Sequence, residues 1–79
     1  MNNTLSQLDL PAELRTQASA LLDIINGASN RDELLRALGR AEGFVLGLET
    51  LDALNPIDVQ NLYVVVEAAA HRRQVELGA

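Results

Sequence analysis

His71 is the only histidine of the chain and the residue with the widest chemistry, because imidazole both binds metals and titrates near neutral pH. Glu67 precedes it by four residues and so shares its face on a helix. A zinc site needs three or four converging ligands, yet the chain has no cysteine and no second histidine. We interpret Glu67 and His71 as a polar helix pair, and we expect no metal and no other cofactor.

Four arginines form two close pairs and are the candidate anion-binding residues: Arg36, Arg40, Arg72 and Arg73. An oligomer that gathered them could hold an anionic nucleotide. However, Asp32 lies four residues before Arg36, and Glu76 lies four residues after Arg72. Such spacing favours ordinary ion pairs on a helix surface, each contributing a few tenths of a kcal/mol.

Three carboxylates are expected on the exposed side of the second helix: Glu42, Glu49 and Asp52. Acid–base catalysis would need such groups to be buried and convergent, and nothing in the spacing indicates that. The sequence also contains no nucleophile–base set and no phosphate-binding loop. We therefore predict a non-enzymatic protein whose acidic face docks on a basic partner surface.

The net charge of −5 over 79 residues argues against direct binding to nucleic acid, which requires a basic face. No apolar run approaches the roughly 20 residues that span a bilayer, so no membrane partner is expected. The N-terminal residues lack the basic start and apolar run of a secretory signal, which favours a cytoplasmic location.

The elements that must position these residues all follow a helical period. We predict an all-α, three-helix domain over residues 10–79, with helices at about 11–26, 30–54 and 56–77 and no strand. Helices two and three are expected to form a long antiparallel hairpin. Residues 1–9 lack a core pattern and are predicted to be a flexible arm, with Leu5 and Leu8 able to dock.

Helix boundaries follow from capping residues. Pro11 suits a first helical position, and Gly27 suits a left-handed stop for helix one. Asn30 with Glu33 resembles a capping pair that opens helix two. Asn55 and Pro56 are predicted to end helix two and to begin helix three.

Helix three carries two apolar faces, and the fold of one chain needs only one of them. Its predicted core face contains Val59, Leu62, Val66, Ala69, Ala70 and Leu77. The opposite face, here named the outer stripe, contains Ile57, Val64, Ala68, His71 and Val75 at heptad-like spacing. An uncovered apolar stripe predicts a partner, so we expect a homodimer or higher oligomer, or a foreign protein.

Helix two has a second unusual feature in its three glycines at intervals of four: Gly39, Gly43 and Gly47. Each costs up to about 1 kcal/mol relative to alanine, so the series predicts close approach of another backbone. Either helix one crosses there or another chain does. Leu35 and Leu46 lie well away from the predicted core seam of helix two and are added to the expected interface. That seam consists of Leu34, Ala37, Ala41, Phe44, Leu48 and Leu51.

These features predict a protein-binding regulator or inhibitor that uses the outer stripe and the acidic face. In size, acidity and arginine-only basic composition the chain is similar to small helical proteins of phages and mobile elements. That resemblance implies inhibition of a host protein, as with anti-CRISPR proteins. Two alternatives stay open, an oligomer that sequesters an anionic nucleotide and a structural subunit of a larger assembly.

Overall fold

Three α-helices make up most of the protein in a computed structural model that describes residues 5–78. A short 3-10 helix, Leu5–Gln7, precedes α1 at Ala12–Asn26, α2 at Arg31–Thr50 and α3 at Pro56–Glu76. Residues 5–78 contain no strand. The all-α class and the three predicted helices are therefore confirmed.

Side-chain caps begin the second and third helices. The Oδ1 atom of Asn30 accepts a 2.9 Å hydrogen bond from the Glu33 backbone N–H, and the Glu33 side chain accepts one from Ser29 N–H over 2.8 Å. Asn55 Oδ1 accepts from the Asp58 N–H at 2.9 Å in the same way. Each cap satisfies a backbone donor that the first helical turn leaves unpaired, so the two predicted starts are confirmed.

The ends of α1 differ from the prediction. Pro11 is the cap of α1, with an extended ψ of 147°, and the first helical residue is Ala12. Gly27 has φ −95°, so it is not the left-handed stop that its type suggested. Its N–H bonds back to the carbonyl of Asp23 at 2.9 Å, which closes a last helical turn with a φ that does not require glycine.

Helix α2 ends at Thr50, four residues before the predicted end, because the chain makes a left-handed turn at Asp52. Asp52 has φ 52°, and the N–H of Ala53 bonds to the Leu48 carbonyl at 2.9 Å. The Asp52 N–H bonds to Glu49, which completes a Schellman motif with aspartate where glycine is usual. Aspartate is one of the few residues that tolerate this conformation, so a glycine-based search for the helix end fails here.

All three helices contribute to one apolar core. Its largest fully buried side chains are Ile25 of α1, Val45 of α2 and Leu62 of α3. Among residues 5–78 no polar or charged side chain is buried. The predicted core face of α3 is correct in most positions, and Val65 is buried in addition. Leu51, expected to continue the core seam of α2, is instead 78% exposed because the helix has already ended.

The segment before α1 packs against the helices. Leu8 and Leu10 are buried in the core, and Leu5 lies against it. Arg15 of α1 donates one hydrogen bond to the Leu5 carbonyl at 2.8 Å and another to the Leu8 carbonyl. Leu5 and Leu8 of the predicted arm therefore dock on the helices. Residues 1–4 of that arm lie outside the described residues.

Candidate binding surfaces

The outer stripe of α3 is largely open to solvent. Ile57 is 70% exposed and Val75 64% exposed, while Val64 and His71 are exposed between them. Ala68, at the centre of the stripe, is partly buried. The stripe opposes a core face that is almost entirely buried, so the two faces of α3 differ as the spacing predicted. Its use as an interface remains a prediction.

The glycine series of α2 faces open space. A Cβ atom added at Gly39, Gly43 or Gly47 would meet nothing within 4 Å. The possibility that helix one crosses closely over these glycines is therefore wrong. Leu35 and Leu46, on the same side of α2, are about half exposed. Contact with another chain is the remaining explanation from the sequence, and it is still a prediction.

Three of the acidic residues act on Tyr63, which lies at the edge of the core on α3. Partial burial raises the pKa of the Tyr63 phenol, and the negative charges of Glu49, Glu42 and Glu67 raise it further. Glu49 is exposed and Glu42 partly buried. Glu67 of α3 thus extends the acidic face that was predicted from Glu42, Glu49 and Asp52. Spacing along α2 alone did not reveal that Glu67 belongs to it.

Asp52 was expected beside Glu42 and Glu49 on helix two. The structure places it in the link between α2 and α3, in the left-handed turn described above. It remains exposed, but its position is set by the turn rather than by the helix face.

The two arginine pairs lie in different environments. Arg73 donates from Nε to the backbone carbonyl of Ala28 at 2.9 Å and forms an ion pair with Glu76 at 3.0 Å. Glu76 therefore pairs with Arg73 and not, as the spacing suggested, with Arg72. Arg72 is exposed on the last turns of α3. These contacts commit the Arg73 guanidinium to the fold and leave less of it available for an anion.

Arg36 and Arg40 line an open groove between the end of α1 and the first half of α2. We name it the Arg36–Arg40 groove. It has a volume of about 440 Å³ and is lined by Ile24, Gly27, Ala28, Glu33, Arg36, Ala37 and Arg40. The structure thus brings together one of the predicted arginine pairs, while Arg72 and Arg73 are not among the lining residues.

Ile24 is a groove residue that helical spacing alone does not indicate. The side chain of Ile24 is 42% exposed, whereas that of its neighbour Ile25 is fully buried. Successive residues of a helix are turned by about 100°, so Ile24 can lie at the surface while Ile25 faces the core. The spacing does not decide which of the two is exposed, nor does it reveal the groove that Ile24 borders.

Among residues 5–78, no three side chains of histidine, cysteine, aspartate or glutamate are grouped so that they could hold a metal ion. Within the same residues, every helix is either too short or too polar to cross a bilayer. The chain matches no family model, no curated protein and no solved structure.

Proposed function

We propose that this chain is a non-enzymatic, cytoplasmic regulator or inhibitor that binds another protein, and that it is encoded by a phage or mobile element. In this proposal the outer stripe of α3 makes the apolar contact and also allows self-association. The observation that carries the proposal is the exposure of Ile57, Val64 and Val75 along one face of a helix whose opposite face forms the core.

Burial of exposed aliphatic side chains against a partner strongly favours binding. Full burial of one valine or isoleucine side chain contributes about 1.5–3 kcal/mol. The stripe offers two such side chains that are more than three-fifths exposed, Ile57 and Val75. Ala68 between them is small, so it favours close approach of a second helix in the manner of helix-in-groove recognition.

The acidic face supplies the polar part of the proposed interface. The negative charges of Glu49, Glu42 and Glu67 all raise the pKa of the Tyr63 phenol, so carboxylates of α2 and α3 act on the same part of the surface. A partner with a basic patch would be attracted to this face, and its association rate would fall as salt concentration rises.

The proposal includes the antiparallel arrangement of α2 and α3 as a hairpin. Two observations support it. Arg73, near the end of α3, bonds to Ala28, just before α2 begins. The negative charge of Glu49, in the last turn of α2, acts on the phenol of Tyr63 in the first half of α3. Such a hairpin would present the outer stripe as one uninterrupted helical ridge beside the acidic face.

Solution mass tests the stripe directly. Light scattering after gel filtration would be run on the wild-type chain and on Val64→Asp and Val75→Asp. Leu51→Asp is the matched control, because Leu51 is 78% exposed but lies outside α3. A wild-type oligomer that dissociates in both stripe variants, but not in the control, would assign self-association to the stripe. Circular dichroism would check that every variant remains helical.

A foreign partner is tested with a photoreactive amino acid placed at Val75, and at Leu51 as the control position. Crosslinking to one defined bacterial protein from Val75 only, lost after charge reversal of Glu42 and Glu49, is the expected result. A wild-type monomer that gives the same crosslinks from both positions would contradict the proposal.

A further inference from the structure

We propose that the Arg36–Arg40 groove binds a small organic anion, in which a carboxylate or phosphate group is joined to an apolar or aromatic body. The groove lies on a part of the molecule that the proposed function does not use. Its ligand would therefore be a second binding partner, independent of the outer stripe and the acidic face.

The cationic side of the groove is formed by two available guanidinium groups. Arg36 and Arg40 are four residues apart, so they lie next to each other on one face of α2. Both are exposed, and neither forms a hydrogen bond or ion pair with any of residues 5–78. Arg15 and Arg73, by contrast, are bonded to backbone carbonyls. Two unpaired guanidiniums four residues apart can converge on one oxyanion.

The opposite side of the groove is apolar. Ala28 and Ala37 are buried and form its floor, while the half-exposed Ile24 borders it from α1. A bare inorganic anion would leave this surface in contact with water. A ligand with an apolar body would cover this surface. Its binding free energy would become more favourable in proportion to the apolar area removed from water.

The size and charge of the groove further restrict the class of ligand that it could bind. A volume of about 440 Å³ lies within the range of small-molecule sites. The net charge of −5 disfavours an extended polyanion, which would meet repulsion beyond the two arginines. Glu33 also lines the groove, and its Oε1 atom accepts the Ser29 N–H. Its negative charge opposes the anion, so a single oxyanion suits the groove better than several.

Chemical-shift mapping on the full chain tests the proposal with phenyl phosphate, octanoate and inorganic phosphate as probes. We expect phenyl phosphate or octanoate to shift amide signals of residues around the groove, namely Ile24, Gly27, Ala28 and Ala37. Inorganic phosphate should bind much more weakly, since it leaves the apolar side uncovered. Comparison of the first two probes identifies whether the preferred oxyanion is phosphate or carboxylate.

Matched variants locate the binding. The double variant Arg36→Gln, Arg40→Gln should raise the dissociation constant roughly tenfold or more, because it removes the charge-assisted hydrogen bonds. Arg72→Gln, Arg31→Gln changes the net charge equally at exposed arginines outside the groove and should leave binding within about twofold. Glu33→Gln keeps the cap acceptor but removes the opposing charge, so it should tighten binding.

The variants should all fold, since the altered side chains are exposed. If both double variants weaken probe binding equally, the effect is due to net charge alone and the proposal is overturned. Shifts confined to the outer stripe, or no saturable shift with either organic probe, would also overturn it. None of these results bears on the proposed protein-binding function, which depends on the stripe variants.

Discussion

The Nε atom of Arg73 donates a 2.9 Å hydrogen bond to the backbone carbonyl of Ala28, which joins the end of α3 to the link between α1 and α2. The two residues are 45 positions apart in the sequence. The same guanidinium reaches Glu76 at 3.0 Å, so one side chain secures both its own helix and a distant loop.

Arg73→Ala should lower the free energy of unfolding by about 1–2 kcal/mol, because it removes a partly buried bond from a charged donor. The neighbouring variant Arg72→Ala should stay within about 0.5 kcal/mol of wild type, since Arg72 is exposed. Urea unfolding followed by circular dichroism measures both. Equal losses in the two variants would show that the bond to Ala28 contributes nothing.

Arg15→Ala should release the segment before α1, because Arg15 bonds to the carbonyls of Leu5 and Leu8. We expect faster amide hydrogen exchange at Leu8 and Leu10 and a stability loss of about 1–2 kcal/mol. Arg31→Ala, at an exposed arginine, is the control and should leave exchange in this segment unchanged. Unchanged exchange at Leu8 in Arg15→Ala would contradict the prediction.

Gly39→Ala and Gly43→Ala should each stabilise the chain by about 0.5–1 kcal/mol, since alanine is the better helix former and its Cβ meets open space. Gly78→Ala should do the opposite, because Gly78 has φ 73° at the end of α3. Thermal unfolding at two protein concentrations measures these effects. If Gly43→Ala destabilises only at high concentration, another chain packs on the glycines.

The pKa of the Tyr63 phenol should lie above its usual value of 10.0, because the group is partly buried and because Glu49, Glu42 and Glu67 carry negative charges. Because the folded-state pKa is raised above the unfolded value, this stabilising contribution is complete below about pH 10 and is lost as pH rises through the folded pKa. Phenolate absorbance against pH measures the pKa. Glu49→Gln should lower it, whereas Glu13→Gln, on the first turn of α1, should not; equal curves would contradict the assignment.

Local rules predicted the helix starts well, because a cap depends only on residues three positions apart. Asn30 with Glu33 and Asn55 with Asp58 illustrate this. The end of α2 was missed since Asp52 occupies a left-handed position that sequence patterns assign to glycine. The exposure of Leu51 follows from the same error, because a residue beyond the helix no longer points toward its core seam.

A surface could be predicted from the sequence where all of its residues belong to one helix. The outer stripe is a property of α3 alone, and its exposed residues were identified by spacing. The acidic face and the Arg36–Arg40 groove each combine residues from two helices. Glu67 and Ile24 were therefore missed, since their neighbours depend on how the helices pack and not on periodicity.

The core of the described chain contains no polar side chain and consists of alanine, valine, leucine and isoleucine. Apolar contacts are non-directional, so such a core supplies much of the free energy of folding but distinguishes poorly between one helix register and the next. Directional bonds must then select the register. Arg15, bonded to Leu5 and Leu8, and Arg73, bonded to Ala28, are placed to do so from the edge of the core. Replacing both arginines would therefore be expected to yield a protein that is still helical but samples several packings.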